Sequence, residues 1–361
     1  MSLKPKESIL QIQPYKGGLS KSKNEKKTIK LSSNETPLGA SPKAIEAYKA
    51  EADKLFRYPD GGATVLREAI GEVYGLNPER IVCGAGSDEI ISFLCLAYAG
   101  QGDEVIYTEH GFLMYKIYTL TVGATPVSVP EVDLKTSVDN ILNAVNDRTK
   151  IVFIANPNNP TGSYISGGEV KRLRDGLRDD ILLVLDGAYA EYVEEEDYSA
   201  GNDIVDLGEN TVMTRTFSKI YGLAALRIGW AYCPESVADV MNRTRGPFNV
   251  SSAAISAAAA AVRDVEFTEK TREFNLAQLK VVVSALQNIG LKTVPSVGNF
   301  LLVDLENEEK AKNAFEYLIE SGIVVRPVVN YGLKTCLRIT IGLEDENQSV
   351  IETLTQFMKN E

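Results

Sequence analysis

Residues 214–229 read TRTFSKIYGLAALRIG. A single lysine, Lys219, stands there beside the hydroxyls of Thr216 and Ser218, and Arg227 follows. A solvated lysine needs no such setting. A lysine that must shed its proton and bond a carbonyl carbon does, because the free amine is the nucleophile. An arginine near two hydroxyls suits the oxygens of a phosphate. Upstream, ILLVLDGAY places Asp186 at the close of an apolar run, with Tyr189 three residues on. A carboxylate in that position is costly to bury unless a cation meets it. The alternative is a helix N-cap.

Two further stretches belong with these. NPNNPTG at 156–162 is a rigid turn that displays asparagine amides, Asn159 among them, with a purely structural turn as the alternative. Ala85-Gly86-Ser87 precedes a helical pattern, where glycine allows close backbone approach and free N–H groups receive an anion. Ser87 as a plain N-cap is the other reading. One carboxylate, one lysine, one arginine, hydroxyls, an amide and a phenol thus follow successive apolar runs. The set fits a phosphorylated aromatic aldehyde with a basic ring nitrogen, pyridoxal 5′-phosphate. The lysine meets the carbonyl carbon, the aspartate the ring nitrogen, and the arginine and hydroxyls the phosphate.

The elements that must position these residues follow from periodicity. RIVCGAG, EVIYTE, TPVSVP, KIVFIANP, ILLVLDGAY, NTVMTRTF and RIGWAYC are short apolar runs. Several are apolar at every position, as strands covered on both faces are. Helical patterns such as SDEIISFLCLAY and GGEVKRLRDGLR lie between them, which predicts an α/β fold with a mostly parallel sheet. Ligands in such sheets sit beyond the carboxyl ends of the strands. After about residue 265 a long helical stretch, then NFLLVDL, EEKAKNAFEYLIESG, IVVRPV and CLRITIG, predict a small α+β domain. The expected division is 1–38 as an N-terminal arm and part of the small domain, 39–265 as the large cofactor-binding domain, and 266–361 as the small C-terminal domain. Arg326 and Arg338 lie inside apolar strand-like runs, so both are expected to point into the cleft, with a structural ion pair as the alternative.

Composition limits the partners. The chain has 361 residues, enough for one large core and a smaller one. A net charge of −11 speaks against a nucleic-acid groove or an anionic membrane. The four cysteines are widely spaced without a CxxC pair, as reduced thiols of a cytoplasmic protein are, and argue against zinc. The only histidine is His110, so no metal site or triad built on several histidines is expected. No apolar run reaches membrane-spanning length, and MSLKPKES lacks the apolar core of a signal peptide.

NPNNPTG, DGAYAEY and TFSKIYGLAALRIG, in that order and spacing, resemble the fold-type-I pyridoxal-phosphate-dependent aminotransferases. The resemblance spans roughly residues 30–345. More narrowly, RYPDGG at 57–62, EHGFLMY at 109–115, VVRPV, YGL and CLRITIG at 324–342, and IQPYKGG near the N-terminus are similar to the histidinol-phosphate aminotransferase branch, in the class-II subgroup. The resemblance implies a large domain with a mostly parallel seven-stranded sheet flanked by helices, a small α+β domain, and a homodimer with a shared active site.

The same resemblance implies roles. Lys219 is similar to the Schiff-base lysine and proton carrier, Asp186 to the partner of the pyridinium, and Tyr189 and Asn159 to the ligands of the ring oxygen. Phe112 takes the stacking position. Ala85, Gly86, Ser87, Thr216, Ser218 and Arg227 resemble the phosphate cradle, and Tyr58 a residue reaching the phosphate from the other subunit. Arg338 resembles the substrate-anion arginine, and Arg326 and Tyr15 residues suited to a substrate phosphate. Two departures stand out: Thr216 where many relatives have serine, and Phe112 where many have tyrosine. The implied reaction converts histidinol phosphate and 2-oxoglutarate to imidazole-acetol phosphate and glutamate in histidine biosynthesis. An aromatic amino-acid aminotransferase, alone or as a second specificity, and a phosphothreonine decarboxylase of the same fold are the alternatives. The intact Lys219, Asp186 and Arg227 speak against a non-catalytic cofactor-binding regulator.

Overall fold

The structure, a computed structural model, describes residues 3–14, 17 and 28–360. A short strand β1 (Ile29–Lys30) opens the described main body. The seven apolar runs then fold as β2 (Ile81–Gly84), β3 (Glu104–Thr108), β4 (Thr125–Val129), β5 (Thr149–Ala155), β6 (Leu182–Asp186), β7 (Thr211–Thr216) and β8 (Gly229–Tyr232). They form one seven-stranded sheet in the order β2-β8-β7-β6-β5-β3-β4. From β4 to β7 every pairing is parallel. β8 is the exception, antiparallel to both β2 and β7.

The inner strands β3, β6 and β7 are buried at every position, because helices cover both faces. Alternation of side chains sorts them into two layers. Phe153 and Val184 join a cluster with Ile90, Leu94 and Tyr115. Val152, Ile154, Leu183 and Leu185 join the opposite one with Ile141 and Leu173. Edge strand β4 is only partly buried. The alanine-rich stretch lies in the helix Ser252–Arg263, capped by Ser251, whose side chain accepts from Ala254 N. Its Ala254, Ala257, Ala258 and Ala261 are small enough to pack closely in the core beside Leu66 and Ile70.

After the helix Val265–Asn288 come β9 (Lys292–Val294), β10 (Phe300–Asp304), β11 (Ile323–Val324), β12 (Arg326–Pro327) and β13 (Cys336–Thr340). The small sheet runs β12-β13-β10-β9, antiparallel throughout. Its core joins Leu301, Val303, Leu337 and Ile339 to Leu279, Leu318 and Leu354 of the helices Val265–Asn288, Glu308–Glu320 and Glu344–Asn360. β1 pairs in parallel with β11. The chain continues along this unit, Leu31 N donating to Val324 O at 2.8 Å and Thr340 N to Leu31 O at 3.0 Å. That path delivers residues 32–34 to the mouth of the large sheet. Among the described residues no helix is long and apolar enough to cross a membrane.

Candidate active site

Four strand ends and one strand beginning meet at one edge of the large sheet. β2 runs through Gly84 and Ala85 into the helix Ser87–Tyr98. β5 ends before Asn156 and Asn159, both in cis bonds to the following proline. β6 ends at Asp186 and β7 at Thr216. β8 is reversed, so its beginning lies at the same edge, and Arg227 stands just before it. A cavity of about 140 Å³ opens there, lined by Ser87, Phe112, Asn159, Asp186, Tyr189, Thr216, Ser218, Lys219 and Arg227 among others. The residues picked from separate stretches of sequence therefore share one cleft.

Asp186 lies at its floor, 4% exposed. Its Oδ2 accepts from Tyr115 Oη at 2.8 Å, and its Oδ1 from Ala188 N at 3.2 Å and Thr214 Oγ1 at 3.4 Å. The N-cap alternative reduces to the single bond from Ala188. Burial pushes the carboxyl above its ordinary value, more than the bonds from Tyr115, Ala188 and Thr214 lower it. A cation placed against it would restore the ionised form.

At the other end, Gly86 is the N-cap of the helix Ser87–Tyr98 at φ 85°, and Ser87 is the first helical residue. A Cβ on Gly86 would meet Arg227 Nη2 at 2.6 Å, and one on Gly229 would meet Ser87 N at 2.3 Å. Only hydrogen at these two positions lets the helix start, the guanidinium and β8 close around one small space. Arg227 Nη1 donates to Ser218 Oγ at 3.2 Å, and Ser218 N to Thr216 Oγ1 at 3.1 Å. N–H groups of a helix start, two hydroxyls and a guanidinium form an anion cradle. With a cation-seeking carboxyl at one end and an anion cradle at the other, the cleft fits pyridoxal 5′-phosphate.

Between these ends, Lys219 Nζ is 3.5 Å from Ser33 O and 5.5 Å from the centroid of the Tyr189 ring. Tyr189 Oη accepts from Asn34 Nδ2 at 2.8 Å. Phe112 stands at the start of the helix Leu113–Val122, edge-on to Tyr115 at 5.8 Å. The small sheet closes the cleft from the side. Arg338 Nη1 donates to Asn159 Oδ1, Nη2 donates to Ser32 O at 2.9 Å, and the guanidinium lies 5.4 Å over Phe300. Arg326 is the register partner of Arg338, so the two buried arginines leave the sheet on one face.

Tyr58 does not line this cavity. It is 82% exposed, stacked on Phe248 at 4.7 Å. Tyr15 lies outside the described residues. Four contributors escaped sequence reasoning: Asn34, Thr214, Tyr115 and Asp88. Tyr115 had a signal, since it follows Phe112 by three residues on one helix face. Asp88 lines the cleft, accepts from Tyr118 Oη at 3.0 Å, and has its carboxyl raised by burial.

The profile of the family "Aminotransferase class I and II" matches residues 26–354, and the chain belongs to that family. Its fold is pyridoxal-phosphate-dependent fold type I. The histidinol-phosphate aminotransferase of Paramagnetospirillum magneticum is 53% identical to it over 98% of each chain. That of Dinoroseobacter shibae is 54% identical over 98% of this chain and 97% of its own. The crystal structure of histidinol-phosphate aminotransferase from Sinorhizobium meliloti in complex with pyridoxal-5′-phosphate matches with a TM-score of 0.88 and 26% identity, covering 93% of this chain and 92% of that one.

Proposed function

We infer that this chain is a pyridoxal-5′-phosphate-dependent aminotransferase of histidine biosynthesis, which converts histidinol phosphate and 2-oxoglutarate to imidazole-acetol phosphate and glutamate. The observation that carries it is the convergence of Lys219, Asp186 and the Gly86–Arg227–Ser218 cradle in one cleft, beside which Arg338 donates to Asn159. The full-length similarity to histidinol-phosphate aminotransferases supports the choice of substrate.

The cofactor, when bound, supplies an electron sink for charge developing at the substrate Cα. The chain supplies the rest. Asp186 keeps the ring nitrogen protonated, its buried carboxylate matched by that cation. Lys219 Nζ would hold the cofactor at its aldehyde carbon and, as the free amine, would be the base that moves the proton at the substrate Cα. Tyr189 and Asn159 hold the ring oxygen, and the Phe112 ring stacks. Ala85, Gly86, Ser87, Thr216, Ser218 and Arg227 hold the phosphate. Arg338 and Arg326, with Tyr15, meet the substrate phosphate, and Arg338 also meets the carboxylates of glutamate and 2-oxoglutarate.

The chain acts as a homodimer. Tyr58 stacks on Phe248, and Leu55 and Phe56 next to it in the chain are each 77% exposed, apolar surface of the kind that partner subunits cover. Tyr58 then reaches the phosphate in the partner subunit. The division at 38 and 265 belongs to the same reading, supported by the separate core of the small sheet and by the long helix that begins at Val265. A cytoplasmic setting is supported by four free, buried cysteines.

A half-reaction panel tests the substrate. Holoenzyme is mixed with histidinol phosphate, phenylalanine, tyrosine or phosphothreonine, and conversion of the cofactor to its amine form is followed by absorbance. Histidinol phosphate should react fastest at equal concentration. A faster reaction with phenylalanine or tyrosine would replace this reading by the aromatic one, and carbon dioxide released from phosphothreonine would point to a decarboxylase.

A further inference from the structure

Asn34 is 1% exposed and sits at φ 54°, in the left-handed region that asparagine tolerates. All of its polar groups are used. Its N–H donates to Thr340 Oγ1 at 3.0 Å, and its carbonyl accepts from Asn299 Nδ2 at 3.0 Å. Its Oδ1 accepts from Thr340 Oγ1 at 3.1 Å, and its Nδ2 donates to Tyr189 Oη at 2.8 Å. The amide's orientation follows from counting protons. The buried Thr340 hydroxyl already accepts from a backbone N–H, and its one proton finds its acceptor among the described residues in Asn34 Oδ1. A flipped amide would leave that proton without an acceptor, which is unfavourable in a buried site. Nδ2 therefore faces the phenol, and the phenol oxygen accepts.

A phenol has one proton to give. With Asn34 donating to its oxygen, that proton must go elsewhere, and no described protein group accepts it. Tyr189 lines the cleft with Asn159 and Lys219. We propose that Asn34 is a positioning residue: it turns Tyr189 into a hydrogen-bond donor aimed into the cleft, at the cofactor's ring oxygen. The proposal rests on Tyr189 facing that oxygen, as inferred above. Thr340 lies two residues beyond Arg338 on β13, on the same face. The strand that holds the Asn34 amide thus also carries the arginine proposed for the substrate.

The test is the pH midpoint of the holoenzyme's visible absorption change, which falls when the ring oxygen gains a donor. Tyr189→Phe should raise it by about one to two pH units. Asn34→Asp replaces the donor by an acceptor, draws the phenol proton to itself, and should raise it comparably. In the Tyr189→Phe background the shift caused by Asn34→Asp should fall by at least about half, because the proton it acts through is gone. Thr340→Val, which frees the amide to turn, should give a smaller rise that is also lost in the Tyr189→Phe background. It serves if Asn34→Asp does not fold. An Asn34→Asp shift of equal size in both backgrounds would reveal a plain charge effect and overturn the proposal. So would a folded Asn34→Asp protein, lower in thermal stability only, with an unmoved midpoint. A Tyr189→Phe midpoint equal to wild type would overturn the placement of Tyr189 against the ring oxygen, and this inference with it.

Discussion

The Asp186 carboxyl accepts three hydrogen bonds and is still pushed above the ordinary aspartate range by burial. A carboxyl raised in the folded state binds its proton more tightly folded than unfolded. The cofactor-free protein therefore has this contribution in full at low pH and loses it as pH climbs from the unfolded value through the folded one. Asp186→Asn removes the titration. Stability of the cofactor-free variant relative to wild type should rise with pH from about 4 upward, read from thermal melts at a series of pH values. Parallel melting curves for the two proteins would contradict it. In the holoenzyme the same substitution should slow Cα proton removal by orders of magnitude, and a loss under about tenfold (~1.4 kcal/mol) would show that the ring charge is held otherwise. Arg338 and Arg326 are also separable at this scale. A charge-assisted contact contributes roughly 1.5–3 kcal/mol, so Arg338→Ala should raise the KM for histidinol phosphate about 10- to 150-fold and impair both half-reactions. Arg326→Ala should harm the phosphate substrate more than glutamate. Equal losses on both substrates would remove Arg326 from the phosphate.

At the scale of elements, the cleft depends on how closely β8 approaches the start of the helix Ser87–Tyr98. A Cβ on Gly229 would lie 2.3 Å from Ser87 N, 2.6 Å from Gly86 C and 2.8 Å from Arg215 O. These are backbone atoms held by the sheet and the helix, so none can swing aside as a side-chain tip would. Gly229→Ala should push the helix start away from Arg227 and overpack the sheet edge, at a cost of about 1–3 kcal/mol. The expected result is a folded protein with a lowered melting temperature whose affinity for pyridoxal phosphate, by equilibrium titration, falls about tenfold or more. Unchanged affinity would mean that this helix start does not hold the phosphate. The reversed direction of β8 matters for the same reason: it brings Arg227 to the edge where the parallel strands end.

For the whole molecule, the exposed Leu55, Phe56, Tyr58 and Phe248 are apolar surface that a single subunit leaves uncovered. If Tyr58 crosses to the partner's cleft, every complete site takes residues from two chains. Tyr58→Ala and Lys219→Ala should each be severely impaired. Mixed, dissociated and reassembled, they should regain part of the wild-type activity, since one site of the mixed dimer then holds both native residues. No recovery in a proven mixed dimer, or a fully active monomer by sedimentation, would refute the shared site.

Sequence alone determined the sheet and most of the cleft. All seven apolar runs are strands, because a strand covered on both faces must be apolar at nearly every position, and that requirement is local. Asp186, Thr216 and Lys219 were legible because a charge or hydroxyl directly after such a run has no other solvent. Tertiary structure decided what depends on residues far apart in the chain. Asn34 reaches Tyr189 and Thr340 across gaps of 155 and 306 residues, and nothing in SSNETP signals it. The placing of Arg326 opposite Arg338 is a matter of strand register, settled by which face of the small sheet its core buries. The direction of β8 was equally hidden, since an apolar run reads the same for a strand running either way. Hydrogen-bond partners, register and strand direction come from packing the assembled elements, and so appeared only in the fold.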